Sequence, residues 1–566
     1  MIALIVSAPL LATAVQDQEP AHGAVRPPRQ SQVEQATNAL RRAEKVLSSG
    51  YFRHRPWVAR QRGLDPTDRG EIQLGAEASV AWRNLLDAAP SDLAAAPYQD
   101  LKPRRRIDLD WLLAWVEAET VLAHAIPSER WDPSWYVGEI AMLLQGLANA
   151  QPSGSRKHIF DAMRMLQRVP VLLAGGRETL SAPDPTYSEM GILQATELVY
   201  YLETDFLSRV RPGLLPDPMD RLAFRQAHKR AVTALNQYRD WMAKVDAEEP
   251  GGPIRLGERE WGQVVRAISG SELSPGDLKV ELVRGIAAYD DALGQRRHLR
   301  PPPIEERRPP VVIERVTEAS GLGRDFPVRL GILDPGSPNV VCRTRNALVH
   351  PGRLATLRGG ARPVLELVYT GNLWPQGIRL SRSSAMDPHA LTVTALRYGF
   401  PGEALWQVWS RSNDRLTQRA LWNRCQREGW GLYAAEWITR PGIATPFQGK
   451  DNVRVEVMRA LMVEASRLLA SLEYHHEGLP VKRVVENFRL NTGLDIDTAR
   501  FEVRSALMDP LYGIGYVGFL ELQSLEEEEA QETTELQALK QTVRLVSRHP
   551  SARVVDLRTH LEGNGD

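Results

Sequence analysis

Cysteine is nearly absent: Cys342 and Cys425 are the only two in 566 residues. Two thiols build neither a disulfide framework nor a cysteine-rich metal site, and a single bridge between them stays open. Net charge is absent too. Seventy Lys and Arg balance seventy Asp and Glu, so nothing in the composition points to nucleic acid or an anionic membrane as partner. The chain has no Gly-rich phosphate loop, no GxSxG elbow and no HExxH pair. Beyond its first residues it has no uncharged run long enough to span a bilayer.

What is present begins with MIALIVSAPLLATAVQDQEP, an apolar stretch closed by the small-x-small pattern Ala12-Thr13-Ala14. It reads as a signal peptide over 1–15 without the usual basic start, and so predicts an exported chain, periplasmic or extracellular. Residues 16–31 are a polar, Pro-rich linker. Residues 32–298 have helical texture almost throughout. Ser31 is a candidate N-cap before Val33, Ala36, Leu40, Ala43 and Leu47, and a second stripe runs Ile107, Leu109, Leu112, Leu113, Val116, Val121. Aromatic residues in these helices read as core. SGS at 153–155 and SRSS at 381–384 read as turns.

Prolines crowd 299–314, a linker, and the β-branched content after it predicts a small strand-containing patch over Val311 to Ser381. Helices resume at Pro388 and continue to a glycine-rich, then acidic segment. Glu526–Glu529 reads as a solvated helix end opening an extension over 526–566. The fold class is mainly α: a large helical unit with a small β patch.

Two blocks carry the functional information, RYGFPGEALW (397–406) and EGWGLYAAE (428–436). RLLASLEYHHEGLP (467–480) and DPLYGIGYVGFLEL (509–522) follow them. In this order they resemble the bacterial domain-of-unknown-function 885 family, zinc-metallopeptidase-like proteins of the gluzincin kind. That pattern runs HExxPGHHLQ, EGWAxYAE, a GLHxxGW-like element, then PGQAxxYxxG. The resemblance covers roughly residues 35–525, makes 315–525 the metallopeptidase-like core, and implies a deep cleft between the N-terminal helices and that core. Pro401 and Gly402 match the first element. Arg397 stands at the leading His, Tyr398 at the Glu, Glu403 and Ala404 at the paired histidines. In the second element Ala435 falls seven residues after Glu428, on the same helical face, and Glu436 lies roughly 80° further round.

The chemistry of those exchanges is severe. A hydrolytic zinc needs three deprotonatable protein ligands, an open position for water and a general base. Arg397 is a permanent cation that cannot coordinate, and a phenol such as Tyr398 is a poor base at neutral pH. His389, Glu403, Glu428, Glu436, His475 and His476 are what remains for a rebuilt site. The two histidines read more simply as a helix C-terminal pair favoured by the helix dipole. A guanidinium standing where zinc stood predicts Arg397 paired with Glu428 or Glu403.

Three readings follow. The first is an exported, non-catalytic peptide- or protein-binding homologue that holds no metal cofactor. The second is an active hydrolase with a rebuilt zinc site, working through Glu403, Glu428, Tyr433 and His475. The third is an assembly protein whose C-terminal extension is its working surface.

Overall fold

Nearly every segment with apolar residues at helical spacing folds as a helix. The computed structural model describes residues 30–55, 58–59, 62, 75–148, 154–180, 185–248, 254–295, 309–333, 341–346, 355–358, 364–369, 388–440, 443, 447 and 449–561. The expected signal peptide, most of both linkers and the SRSS turn lie outside them.

Numbering helices of eight or more residues, α1 (Gln30–His54), α2 (Ala76–Ala94) and α3 (Pro103–Ala125) come first. Next are α4 (Pro133–Ala148), α5 (Arg156–Thr179), α6 (Pro185–Tyr201) and α7 (Pro218–Glu248). Then follow α8 (Glu258–Ser269), α9 (Pro275–Gln295) and α10 (Pro309–Arg329). After the strands come α11 (Pro388–Tyr398), α12 (Glu403–Ser412), α13 (Arg424–Trp437) and α14 (Lys450–Ser471). The chain closes with α15 (Val481–Thr492), α16 (Ile496–Met508), α17 (Gly515–Glu532), α18 (Glu535–Arg548) and α19 (Val554–Leu561).

Helices α4 to α7 share their own core around Tyr136, Leu144, Leu166, Leu198, Phe224 and Tyr238. This unit is tied to the rest by Tyr187, whose hydroxyl donates to the Leu507 carbonyl at 2.7 Å, and by the Arg504–Glu189 ion pair. The main core joins α1–α3, α8–α9 and α11–α14 with α17–α18. Each fully buried side chain there contributes about 1.5–3 kcal/mol, which offsets the desolvation of the charges that these same helices bury.

Several expectations change at this level. The strand-containing patch begins later than Val311, because Pro309–Arg329 is helix; a proline is tolerated in a helix's first turn. The sheet itself is present, in order β1-β3-β2: β1 (Val341–Asn346), β2 (Ala355–Arg358) and β3 (Val364–Tyr369). β1 runs parallel to β3 with Val341 opposite Val364, and β2 runs antiparallel with Ala355 opposite Leu367. Ser31 lies inside α1 rather than capping it, and Leu113 is exposed while its stripe neighbours are buried or half-buried. Ser155 is more than a turn, since its hydroxyl caps α5 by accepting the His158 N–H. Both cysteines are free and buried.

The acidic extension is also different. Leu539, Val543 and Val546, at i, i+4 and i+7, bury one face of α18 in the main core, and Trp406 donates its indole N–H to the Pro550 carbonyl at 2.8 Å. Residues 526 to 561 are therefore part of the body. Glu526 is buried rather than solvated, because Tyr433 and Arg440 both donate to it. No helix among the described residues is long and apolar enough to cross a membrane.

Candidate functional site

The four sequence blocks meet in one place. Gly402 carries the chain from α11 into α12, and a side chain there would strike the Arg397 carbonyl oxygen. The Pro401 carbonyl accepts the Trp430 indole N–H at 2.8 Å, which fixes this turn against α13. On α13, Gly431 faces Arg397 and Glu403, so both side chains lie over the helix surface that it leaves bare. Gly429 lies against the backbone of Gly518 on α17. Asn423 caps α13 by accepting the Gln426 N–H, and this separates it from the short helix Leu416–Ala420.

At the centre is a ladder of guanidiniums and carboxylates. Arg397 donates to Glu464 at 2.8 Å, Arg467 donates to the same oxygen at 2.9 Å, and Arg467 holds Glu502 through two bonds of 2.7 Å. The Tyr512 hydroxyl donates to Glu502 at 2.7 Å. A second run starts from Asp509, which pairs with Arg424. Arg424 and Arg427 each donate to Glu428 at 2.9 Å, and Arg427 lies 3.2 Å from Glu403. Arg397, Glu403, Glu428, Glu464 and Glu502 are all buried.

Two bonds between one guanidinium and one carboxylate fix geometry as well as charge. Burial pushes the Glu464 carboxyl up, but Arg397 and Arg467 outweigh it and hold it below the ordinary carboxylate range. Burial works against the Arg397 guanidinium too, and Glu464 more than restores its charge. The carboxylate partner of Arg397 is thus Glu464, not the Glu428 or Glu403 expected; those two carboxylates take Arg427.

The other singled-out residues have structural partners. The Arg397 guanidinium lies 5.0 Å from the centroid of the Tyr398 ring, and burial raises the Tyr398 phenol. Ala404 and Ala435 are buried core. Burial, with Glu526 beside it, lifts the Tyr433 phenol well above its usual value, and its proton is donated to Glu526 at 2.7 Å. Glu436 takes Arg440 at 2.6 Å, and His389 lies against Gly449. The Cys425 thiol is buried, raised well above its ordinary value, and directed at the Ile514 carbonyl.

His475 is not a charged helix-end histidine. It sits in a wide turn, Leu472–His476, that ends α14. Its Nδ1 accepts the Leu256 N–H at 3.2 Å, and its Nε2 lies 3.1 Å from the Ala506 carbonyl oxygen, so the neutral ring carries its proton on Nε2. Burial pushes it down to about 4. His476 Nδ1 lies 2.9 Å from the Glu258 carbonyl oxygen.

The sign of the His475 effect is set by that depression. An unfolded imidazole binds its proton near pH 6.5, so His475 adds full stability above that pH and loses it as pH falls toward 4. Between pH ~6.5 and ~5 the wild-type chain is expected to lose about 1.5 kcal/mol more than His475→Gln. Urea denaturation of both proteins at the two pH values measures this. Equal losses would refute a buried neutral ring.

Among the described residues no group of three or more His, Cys, Asp and Glu side chains is arranged to hold a metal ion. The residues at the expected zinc positions do not fit one: a guanidinium fills the first, and the nearby carboxylates already carry guanidinium partners. Nothing in the ladder is free to act as base or nucleophile. What the arrangement does well is present fixed, paired charge.

Sequence reading missed Glu464, Glu502, Arg424, Arg427 and Asp509. One signal was available: Glu464 falls on the apolar stripe Leu461, Ala465, Leu468, where a carboxylate must find a buried cation.

No protein-family model matches the chain, and no curated protein matches it in sequence. Solved structures do. A "putative lipoprotein of unknown function" from Shewanella oneidensis superposes with a TM-score of 0.68 at 16% identity, over 92% of this chain and 99% of that one. A "putative lipoprotein" from Colwellia psychrerythraea gives 0.74 at 14% identity, over 94% and 98%. The fold is shared with both. At such identity the likeness extends to architecture alone.

Proposed function

We propose that this chain is an exported, metallopeptidase-like protein that binds a peptide or protein without cleaving it. The observation that carries the reading is the Arg397–Glu464–Arg467–Glu502 ladder: Arg397, at the position of the leading zinc-ligating His in the resemblance, is a buried cation locked to Glu464. Export is supported by the apolar N-terminus and by the description of both structural neighbours as lipoproteins. In this reading the ladder, largely buried and paired within itself, holds the helical shell in shape.

The test is elemental analysis of the purified chain before and after incubation with excess zinc and dialysis, paired with binding and turnover of a synthetic peptide library. The expected result is substoichiometric zinc, no cleavage, and saturable binding of a subset of peptides that Arg427→Glu abolishes. Stoichiometric zinc with peptide cleavage that Glu428→Gln removes would instead establish the active hydrolase. Failure of every peptide to bind would sink the binding role.

A further inference from the structure

Away from the ladder, α1 from Val33 to Phe52, the start of α3 and the segment Asp414–Arg419 enclose a groove of about 990 Å³. None of the ladder residues lines it. Its deep layer is charge-neutral by construction. Arg105 lies 2.8 Å from Glu44 and 2.7 Å from Asp108, Arg415 lies 2.9 Å from Asp108, and Thr417 donates to Glu44 at 2.6 Å. Two cations and two anions satisfy each other, so this layer asks nothing of the rim.

The rim is not balanced. Arg41, Lys45, Lys102, Arg104 and Arg419 stand against only Glu34 and Asp414. No described carboxylate forms an ion pair with any of the five cations, and the first four are exposed. The Nε of Arg419 is buried with no acceptor, an unmet donor at the groove wall. In a chain whose total charge is zero, the rim thus carries a local excess of positive charge.

We propose that this groove binds an acidic peptide segment. Its volume suits a ligand of a few residues and far exceeds one inorganic anion. The cations stand on three walls: Arg41 and Lys45 one turn apart on α1, Lys102 and Arg104 at the start of α3, and Arg419 on the third side. Several separated carboxylates satisfy that spread; a single charge does not. The arginines offer planar donor pairs for carboxylate, and Asn38 and Ser49 offer partners for a peptide backbone. A bilayer is flat and does not fill a concave site. Among the described residues Phe52 is the one aromatic lining the groove, a single ring rather than a stacking platform for nucleic acid bases.

The experiment uses the full chain and fluorescein-labelled hexaglutamate, read by anisotropy, with hexalysine as control. Binding is expected with hexaglutamate only, and it should weaken as salt rises from ~0.05 to ~0.5 M. The triple variant Arg41→Ala/Lys45→Ala/Arg104→Ala, all exposed positions, should keep its helical circular dichroism and bind about tenfold more weakly. Absence of hexaglutamate binding, or unchanged affinity in the triple variant, would overturn the proposal. So would displacement by inorganic phosphate at the peptide's own concentration, which would make the occupant a small anion. Preferential capture by phosphatidylglycerol vesicles would overturn it in favour of a lipid surface. Because the groove shares no residue with the ladder, hexaglutamate binding should survive Arg427→Glu, which separates it from the peptide binding proposed at the ladder.

Discussion

Glu464→Ala is expected to lower the unfolding free energy by about 3–5 kcal/mol. The carboxylate is 2% exposed and receives both Arg397 and Arg467. Its removal leaves one buried guanidinium without its carboxylate and a second with only Glu502. Bringing such a charge out of water costs several kcal/mol, and its Coulomb partner is what offsets that cost. Urea denaturation monitored by circular dichroism measures the loss. The double variant Arg397→Met/Glu464→Met removes both members of the pair and should be markedly more stable than Glu464→Ala alone. A Glu464→Ala loss below about 1 kcal/mol would mean that water already reaches the pair, as in surface ion pairs.

Gly429→Ala is the second large effect, expected at about 3 kcal/mol. A Cβ at Gly429 would lie 2.5 Å from the Gly518 carbonyl carbon and 2.8 Å from the Phe519 nitrogen. These are backbone atoms, so no rotamer change relieves the clash; α13 and α17 must separate. Separation would drag Glu428 and Arg427 with it and loosen the second run of the ladder. Gly321→Ala is the matched control. It sits inside α10 with nothing within 4 Å of its added Cβ, and should gain about 0.5–1 kcal/mol from helix propensity. Thermal or urea unfolding of both variants separates steric overlap from propensity. Equal effects of the two substitutions would refute the close approach of α13 and α17.

Much of the architecture was readable from local pattern. The stripe Ala36, Leu40, Ala43, Leu47 names the buried face of α1, and a glycine, Gly493 at φ 65°, ends α15. The strand content after residue 340 was readable from β-branched residues. The start of that region was misjudged, because consecutive prolines signal a linker and also fit a helix's first turn. Within the acidic run, Glu527 and Glu528 are exposed as expected, and only Glu526 was misjudged, for a different reason. A charge run reads as solvated until its partners are known, and Tyr433 and Arg440 lie far from it in sequence.

The candidate site divides along the same line. The sequence alone determined what its altered positions exclude: Arg397 cannot ligate a metal in any environment, because a guanidinium has no lone pair to offer. The structure, through the Trp430 indole bonded to the Pro401 carbonyl, joined the Pro401-Gly402 turn to the EGW helix. Only the tertiary structure decided which carboxylate answers Arg397, since Glu464 lies 67 residues away and pairing depends on how α11 packs on α14. It likewise decided that His475 is neutral, because its charge state follows from burial and from two backbone contacts contributed by distant segments. Residue type fixes what a side chain can do. Packing fixes which of those possibilities the surrounding charges and dielectric allow.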